Sequence, residues 1–136
     1  MAIGRPSREF LKKLPDLVYD ISGHILYVTS DKDKITGIIG VDITLAPHGW
    51  VLHLAVHPDY RNKGIGKQLI NDLINELSLS SISLETDREA VGFYRACGFK
   101  IRRIISKWPG IQRYLCTKGQ PEESVIEYYH NQELPG

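Results

Sequence analysis

The clearest pattern in the sequence is a short apolar run followed by a helical repeat. Residues 51–57 are mostly apolar and Pro58 ends the run, which is typical of a buried strand. After a loop with two glycines, apolar side chains recur every three or four positions and polar ones fill the other side. The recurring apolar positions are Ile65, Leu69, Ile70, Leu73, Ile74 and Leu77. The pattern predicts a strand, a loop and an amphipathic helix.

The flanking segments predict further strands around this unit. Residues 24–30 and 35–43 form a predicted hairpin, and a turn at 46–49 leads into a third antiparallel strand at 50–57. Residues 81–85 predict another strand. Because a whole helix separates it from strand 50–57, we expect these two strands to be parallel. Such a pair places a ligand site at its carboxyl ends, where the glycine loop also lies.

The remaining segments predict short helices and strands. We predict helices at 6–14, 89–97 and 121–130, and strands at 17–21, 99–105 and 112–117. Asp87 is a suitable N-cap for helix 89–97, and Gly98 ends it. The expected fold is therefore α/β, with a mixed, mostly antiparallel sheet, a central parallel strand pair and flanking helices.

The loop between the central strand and its helix has the features of an anion site. The first amides of a helix have no intrahelical acceptor, and the helix dipole favours negative charge there. Gly64 and Gly66 leave these amides uncovered, while Arg61, Lys63 and Lys67 add positive charge. The glycine spacing matches neither a Walker loop nor a dinucleotide-binding loop. A diphosphate is the expected ligand.

Composition restricts the class of protein. The 136 residues predict one domain, 1–136, ending in a helical tail at 120–136, and 42% are hydrophobic, as in ordinary globular proteins. The net charge of +1 favours neither nucleic acid nor a membrane surface as a partner. The sequence shows no signal peptide or membrane span, so we expect a cytoplasmic protein. Cys97, Cys116 and five scattered histidines match no metal-ligand pattern, so we expect free thiols and no metal.

Two motifs resemble those of one family. Arg61-x-x-Gly64-x-Gly66, a few residues after Leu54-Ala55-Val56, resembles the [R/Q]-x-x-G-x-[G/A] motif of the GNAT superfamily, the acyl-CoA-dependent N-acetyltransferases. The segment from Asp87 to Phe99 resembles the family's N-x-x-A-x-x-[LF]-Y-x-x-x-G-F signature, with Asp87 in place of the usual Asn. The resemblance implies a GNAT fold and transfer of an acetyl group from acetyl-CoA to a primary amine of an acceptor that the sequence does not identify.

The resemblance also implies roles for individual residues. Backbone groups of Leu54, Ala55 and Val56 would pair with the pantetheine arm, and the Val56 amide would stabilise the thioester oxyanion. Tyr94 matches the family's general acid, and its alternative is a core tyrosine. Asp87 either contacts the cofactor or only caps its helix. The residues expected to contact acetyl-CoA, besides Leu54, Ala55, Val56 and Tyr94, are Arg61, Asn62, Lys63, Gly64, Ile65, Gly66, Lys67, Asp87 and Phe93.

Neither motif identifies the general base. His53 lies on the central strand, on the same side as Val51 and Ala55 if side chains alternate, and is either a base or a structural histidine. Glu85, at the end of the parallel strand, is the second candidate because a Leu-Glu pair occurs there in several relatives. Its alternative is a solvated strand-end carboxylate. Deprotonation through water is the third option.

The two ends of the chain differ from the family's usual pattern. Relatives have a first strand and two helices that wall the acceptor pocket, whereas only about 23 residues precede His24 here. We therefore expect a more open acceptor site, or one completed by a second subunit. The tail helix docks either on its own domain or on a partner. The sequence also fits a non-catalytic acyl-CoA-binding module, or a dimeric interaction module with Trp50, Tyr128 and Tyr129 at its interface.

Overall fold

A mixed seven-stranded sheet forms the centre of the protein. The computed structural model describes residues 12–13 and 22–132. The strands are β1 (Lys12–Lys13), β2 (His24–Asp31), β3 (Lys34–Asp42), β4 (His48–Val56), β5 (Ser81–Thr86), β6 (Lys100–Ile104) and β7 (Arg113–Lys118). They lie in the order β1-β2-β3-β4-β5-β7-β6, and every neighbouring pair is antiparallel except β4 and β5. The predicted α/β sheet with one central parallel pair is confirmed.

Helices cover both faces of the sheet. Helices α1 (Ile65–Glu76) and α2 (Val91–Ala96) pack on one face, and α3 (Glu123–Gln132) packs on the other. Within the described ranges, none of these helices has the length and apolar character needed to span a bilayer. The cluster under α1 and α2 includes Ile39, Val41, Leu69, Leu73, Ile82 and Cys116. The cluster under α3 contains Trp50, Leu115, Ile126 and Tyr129.

The hydrophobic pattern predicted the central unit closely. Helix α1 buries the side of the repeat that begins at Ile65 and continues through Leu69 and Leu73. The hairpin of β2 and β3 and its continuation into β4 are also as predicted. Strand β4 begins earlier than expected, because His48 and Gly49, predicted as part of a turn, already pair with β5.

Strands β4 and β5 pair only at their beginnings. Their register joins His48–Trp50 to Ser81–Ser83. Beyond Trp50, β4 continues to pair with β3 as far as Val56, and β5 continues to pair with β7 as far as Thr86. The two parallel strands therefore separate and leave a gap at their carboxyl ends.

A β-bulge in β4 changes which face its side chains occupy. Gly40 lies opposite His53 and Val41 lies opposite Val51, so Leu52 is the extra residue. Val51 and Leu54 consequently both pack in the cluster under α1, which strict alternation does not allow. The prediction that His53 lies on the same side as Val51 is wrong, because the bulge moves His53 to the α3 face.

The N-terminal part differs from prediction where it is described. Lys12 and Lys13 form β1 beside Tyr27 and Val28 of β2, so the predicted helix at 6–14 is wrong for these two residues. The rest of that helix and the predicted strand at 17–21 lie outside the described residues.

The tail helix docks on its own domain. The rings of Trp50 and Tyr129 stack with their centroids 5.0 Å apart, and each side chain is 2% exposed. The Tyr129 hydroxyl also donates a hydrogen bond to Asp42 Oδ1 at 3.1 Å. The predicted interaction face is therefore wrong for Trp50 and Tyr129, since only Tyr128 of that set is exposed.

His48 joins β4 to β5 through its side chain. Its Nδ1 lies 2.7 Å from Ser81 Oγ and its Nε2 lies 2.8 Å from Ser83 Oγ. Burial lowers the pKa of His48 to about 4, so the imidazole is neutral and forms one bond as donor and the other as acceptor. This clamp spans the paired segment, because Ser81 belongs to its first residue pair and Ser83 to its last.

The His48 clamp predicts a loss of stability in acid. The imidazole protonates at about pH 6.5 in the unfolded chain and at about 4 in the folded protein, so stability falls as the pH drops through this interval, by up to about 3 kcal/mol. A His48→Gln variant, which does not titrate, should lose less stability on acidification than the wild type. Urea unfolding from neutral pH to about pH 4 measures this difference, with His57→Gln as the control. Equal pH slopes in the wild type and His48→Gln would contradict the role of the clamp.

Candidate functional site

The gap between β4 and β5 presents backbone groups of β4. The His57 N–H donates to the Thr36 carbonyl on the β3 side at 2.8 Å. Because successive residues of a strand direct their backbone groups to opposite neighbours, Ala55 also faces β3, while Leu54 and Val56 face the gap. The predicted free backbone groups are therefore those of Leu54 and the amide of Val56, since the Val56 carbonyl accepts from Arg61, and the prediction is wrong for Ala55.

The N-terminus of α1 opens at the same edge of the sheet. Gly64 is the N-cap residue, with φ of 79°, and no side chain caps the helix. A Cβ added to Gly64 would meet no atom within 4 Å, so the space in front of the first amides is open. The left-handed backbone explains why glycine suits this position. The uncapped amides and the helix dipole together favour negative charge at this helix end.

Exposed basic side chains surround this helix end. Arg61, Lys63 and Lys67 are all exposed, and Arg61 Nε donates to the Val56 carbonyl at 3.3 Å. The latter contact links the loop to the strand that borders the gap. Asn62 has φ of 62°, which lets the loop reverse direction before α1.

The second glycine of the loop has a further role beside the one expected. A Cβ on Gly66 would lie 2.8 Å from Cζ of Phe93, so the missing side chain makes room for that ring. Gly66 thus allows α1 and α2 to approach closely, in addition to leaving its amide uncovered. This contact places Phe93, the residue that precedes Tyr94, beside the N-terminus of α1.

Tyr94 combines core packing with a free hydroxyl. Its ring contacts Phe93 and Phe99 edge-on, at centroid distances of 5.0 and 5.5 Å, and the residue is 8% exposed. Among the residues that the structure describes, none accepts a hydrogen bond from its hydroxyl. Burial raises the pKa of Tyr94 to about 12. The phenol therefore remains protonated at neutral pH and can donate a hydrogen bond.

Asp87 supports the turn that leads into α2. Its Oδ1 accepts from the Ala90 N–H at 3.0 Å, and its carbonyl accepts from the Val91 N–H at 3.1 Å. The N-cap residue of α2 is Ala90 and no side chain caps the helix, so the predicted N-cap role of Asp87 is wrong and its carboxylate bonds the preceding turn instead. Contact with a cofactor stays a prediction for this residue.

The two candidate bases lie in different environments. His53 is exposed on β4. The side chain of Glu85 is 2% exposed and its Oε2 lies 2.5 Å from His130 Nδ1 on α3. Glu85 is therefore not a solvated strand-end carboxylate, and that alternative is wrong.

His130 is a site residue that sequence reasoning missed. It lies 45 positions after Glu85, on the tail helix, and no short-range pattern connects the two. Its backbone carbonyl also accepts a hydrogen bond from Lys107 Nζ. Only the docking of α3 onto the sheet brings these groups together.

The cysteines match the prediction of free, buried thiols. Cys97 and Cys116 are both reduced and buried. In the described part of the chain, no three His, Cys, Asp or Glu side chains are grouped in a way that could hold a metal ion.

The fold and the gap define an acetyltransferase domain of the GNAT type. The family model for the acetyltransferase (GNAT) domain matches residues 22–101, more than half of the chain. The chain therefore belongs to the GNAT family.

The individual relatives and solved structures described next share 17% to 29% sequence identity with this chain. An uncharacterized N-acetyltransferase, ycf52, from Pyropia yezoensis is 29% identical over 84 residues, which is 57% of this chain and 48% of that protein. A candidate streptothricin acetyltransferase from Bacillus anthracis str. Ames, in complex with acetyl coenzyme A, superposes with a TM-score of 0.66 at 22% identity, covering 81% of this chain and 70% of that one. A Bacillus subtilis acetyltransferase in complex with CoA gives 0.62 at 17% identity, covering 82% and 98%. The chain thus spans about half the length of the curated relatives that it matches.

Proposed function

We propose that this protein is an N-acetyltransferase that transfers the acetyl group of acetyl-CoA directly to a primary amine. The observation that carries the proposal is the separation of β4 from β5 after Trp50, beside the uncapped N-terminus of α1. One opening thereby offers backbone partners for an extended amide-containing arm and an anion site for a diphosphate. Acetyl-CoA has both parts, and structural neighbours hold acetyl-CoA or CoA.

The proposed binding mode of the cofactor follows from the N-terminus of α1 and the edge of β4. The diphosphate lies against the amides of Ile65, Gly66 and Lys67, with the exposed cations of the loop around it. The pantetheine arm runs along β4 and pairs with the backbone groups of Leu54 and the amide of Val56, while the Val56 carbonyl accepts from Arg61. The thioester then lies near the Val56 amide, which can donate a hydrogen bond to the developing oxyanion.

Tyr94 assists the departing thiolate as a hydrogen-bond donor. Burial raises its pKa to about 12, whereas a free thiol has a pKa of about 8.5, so complete proton transfer from the phenol to the thiolate is uphill. A hydrogen bond from the phenol still stabilises negative charge on sulfur as the C–S bond breaks. The proton that completes the thiol comes from solvent.

The amine approaches from the face covered by α3. A groove of about 730 Å³ lies on this face, and its lining includes Asp42, Leu52 and the exposed Tyr128. Leu52 is the extra residue of the bulge in β4, so the groove reaches the strand that borders the gap. The exposed ring of Tyr128 is a suitable neighbour for a cationic amine before it loses its proton.

A charge placed at Gly64 tests the cofactor seat. Asn and Asp have nearly the same shape and both tolerate a left-handed backbone, so Gly64→Asn and Gly64→Asp differ mainly in charge. We expect Gly64→Asp to bind CoA at least about tenfold more weakly than Gly64→Asn, because a carboxylate repels the diphosphate. Isothermal titration calorimetry measures the two affinities. Equal affinities would show that the diphosphate lies elsewhere.

Removing the Tyr94 hydroxyl tests the catalytic part of the proposal and separates an enzyme from a non-catalytic acyl-CoA-binding module. In Tyr94→Phe we expect kcat to fall about 10- to 100-fold while acetyl-CoA affinity stays nearly constant. The reason is that the hydroxyl forms its charge-assisted hydrogen bond only in the transition state, and the variant lacks that bond. Release of CoA thiol with a panel of primary amines measures this, with Tyr114→Phe, whose hydroxyl bonds only the nearby Gln112 side chain among the described residues, as the control. If acetyl-CoA raises the melting temperature of the wild type and no amine is acetylated, the protein is a binding module.

A further inference from the structure

Glu85 stands at the edge of the gap and is closed off from it by α3. It lies two residues beyond Ser83, the last residue of β5 that pairs with β4. Ser81 and Ser83 bond to His48, and by alternation Glu85 shares their face, which is the one that α3 covers. With its side chain 2% exposed, the carboxylate is shielded from a substrate amine.

His130 links the buried carboxylate of Glu85 to the protein surface. The distance from His130 Nδ1 to Glu85 Oε2 is 2.5 Å, and the His130 side chain is 31% exposed. Because a carboxylate accepts the Nδ1 proton, the neutral ring has its lone pair on Nε2. No described residue forms a hydrogen bond with Nε2. This nitrogen is therefore an accessible acceptor of a proton.

Contacts with the sheet hold His130 in a fixed position. The preceding residue, Tyr129, is stacked on Trp50 and bonded to Asp42, so the last turn of α3 is anchored to the sheet. Lys107 Nζ donates a hydrogen bond to the backbone carbonyl of His130. The ring is thus held by its helix on one side and by Glu85 on the other.

The hydrogen-bond donor to the thiolate and the acceptor of the amine proton lie on opposite faces of the sheet. Tyr94 packs in the cluster under α1 and α2, while His130 lies on the opposite face of the sheet, with the gap between β4 and β5 separating the two faces. A thioester in that gap would have the thiolate donor on one face and a proton acceptor on the other. The proposed entry of the amine is from the α3 face, on which His130 also lies.

We propose that His130 is the catalytic base of the acetyl transfer and that Glu85 is its positioning residue. This inference rests on the proposed function. The ammonium first loses one proton to solvent, and the neutral amine nitrogen then bonds to the thioester carbon while the carbonyl electron pair moves onto oxygen. A second N–H proton passes to His130 Nε2. The oxyanion then re-forms the carbonyl and expels the CoA thiolate, which takes a proton from solvent. His130 returns its proton to solvent, so the products are an amide and free CoA.

Chemical rescue distinguishes a base from a structural residue. We expect His130→Ala to lower kcat about 100-fold or more with little change in the KM for acetyl-CoA, because general base catalysis typically contributes this much. Added imidazole should restore turnover in a saturable manner. Pyrazole has the same ring shape and far lower basicity, so it should fill the cavity without restoring activity. Asn131→Ala, an exposed neighbour on α3, is the control for helix docking.

Glu85→Gln tests the positioning role separately. The amide keeps the size of the side chain and loses the charge that fixes the Nδ1 proton, so kcat should fall about tenfold or more while the KM for acetyl-CoA changes little. Imidazole should not rescue this variant, because the His130 ring still occupies the site.

The outcomes also separate this inference from the proposed function. If the wild type turns over and His130→Ala retains a similar kcat, the role of His130 is overturned. Rescue by pyrazole as well as imidazole would overturn it too. Both results leave the acetyltransferase proposal intact. Binding of acetyl-CoA by the wild type without transfer to any amine and without thioester hydrolysis would overturn both.

Discussion

The early end of the pairing between β4 and β5 is the constraint on which the candidate site depends. A continuous ladder would use the backbone groups of Leu54 and Val56 within the sheet and leave no place for an extended ligand. The His48 clamp holds the strands together up to the last paired residues, and beyond it each strand follows its other neighbour. A backbone-lined opening costs little only where water or a ligand can satisfy the exposed groups.

The connection between the parallel strands places α1 at the same opening. A strand, a crossover helix and a parallel strand must return to the same sheet edge, so the N-terminus of the helix lies at the carboxyl end of β4. The open Gly64 and the Arg61 bond to the Val56 carbonyl then tie the anion site to the gap. On the other face, α3 buries Glu85 and supplies His130. The two faces of one opening thus offer different chemistry.

Much of this arrangement follows from local patterns in the sequence. The apolar run of β4, the repeat of α1 and the parallel placement of β5 are encoded by neighbouring residues, and the glycine loop is recognisable from its spacing. The bulge at Leu52 could not be predicted, because it depends on the pairing with β3, and it reversed the face assigned to His53. The environment of Glu85 depends on a helix 45 residues away, so local reasoning could not separate a solvated carboxylate from a buried one.

The most direct test of the central claim is an NMR titration of the 15N-labelled protein with CoA, in which the backbone amides report where the cofactor binds. The largest shift changes should occur at Leu54 and Val56 and at Gly66 and Lys67, while Ala55, whose amide faces β3, should change less. Shift changes confined to α3 or to the groove on its face, or none at millimolar CoA, would contradict the assignment of the gap as the acetyl-CoA site.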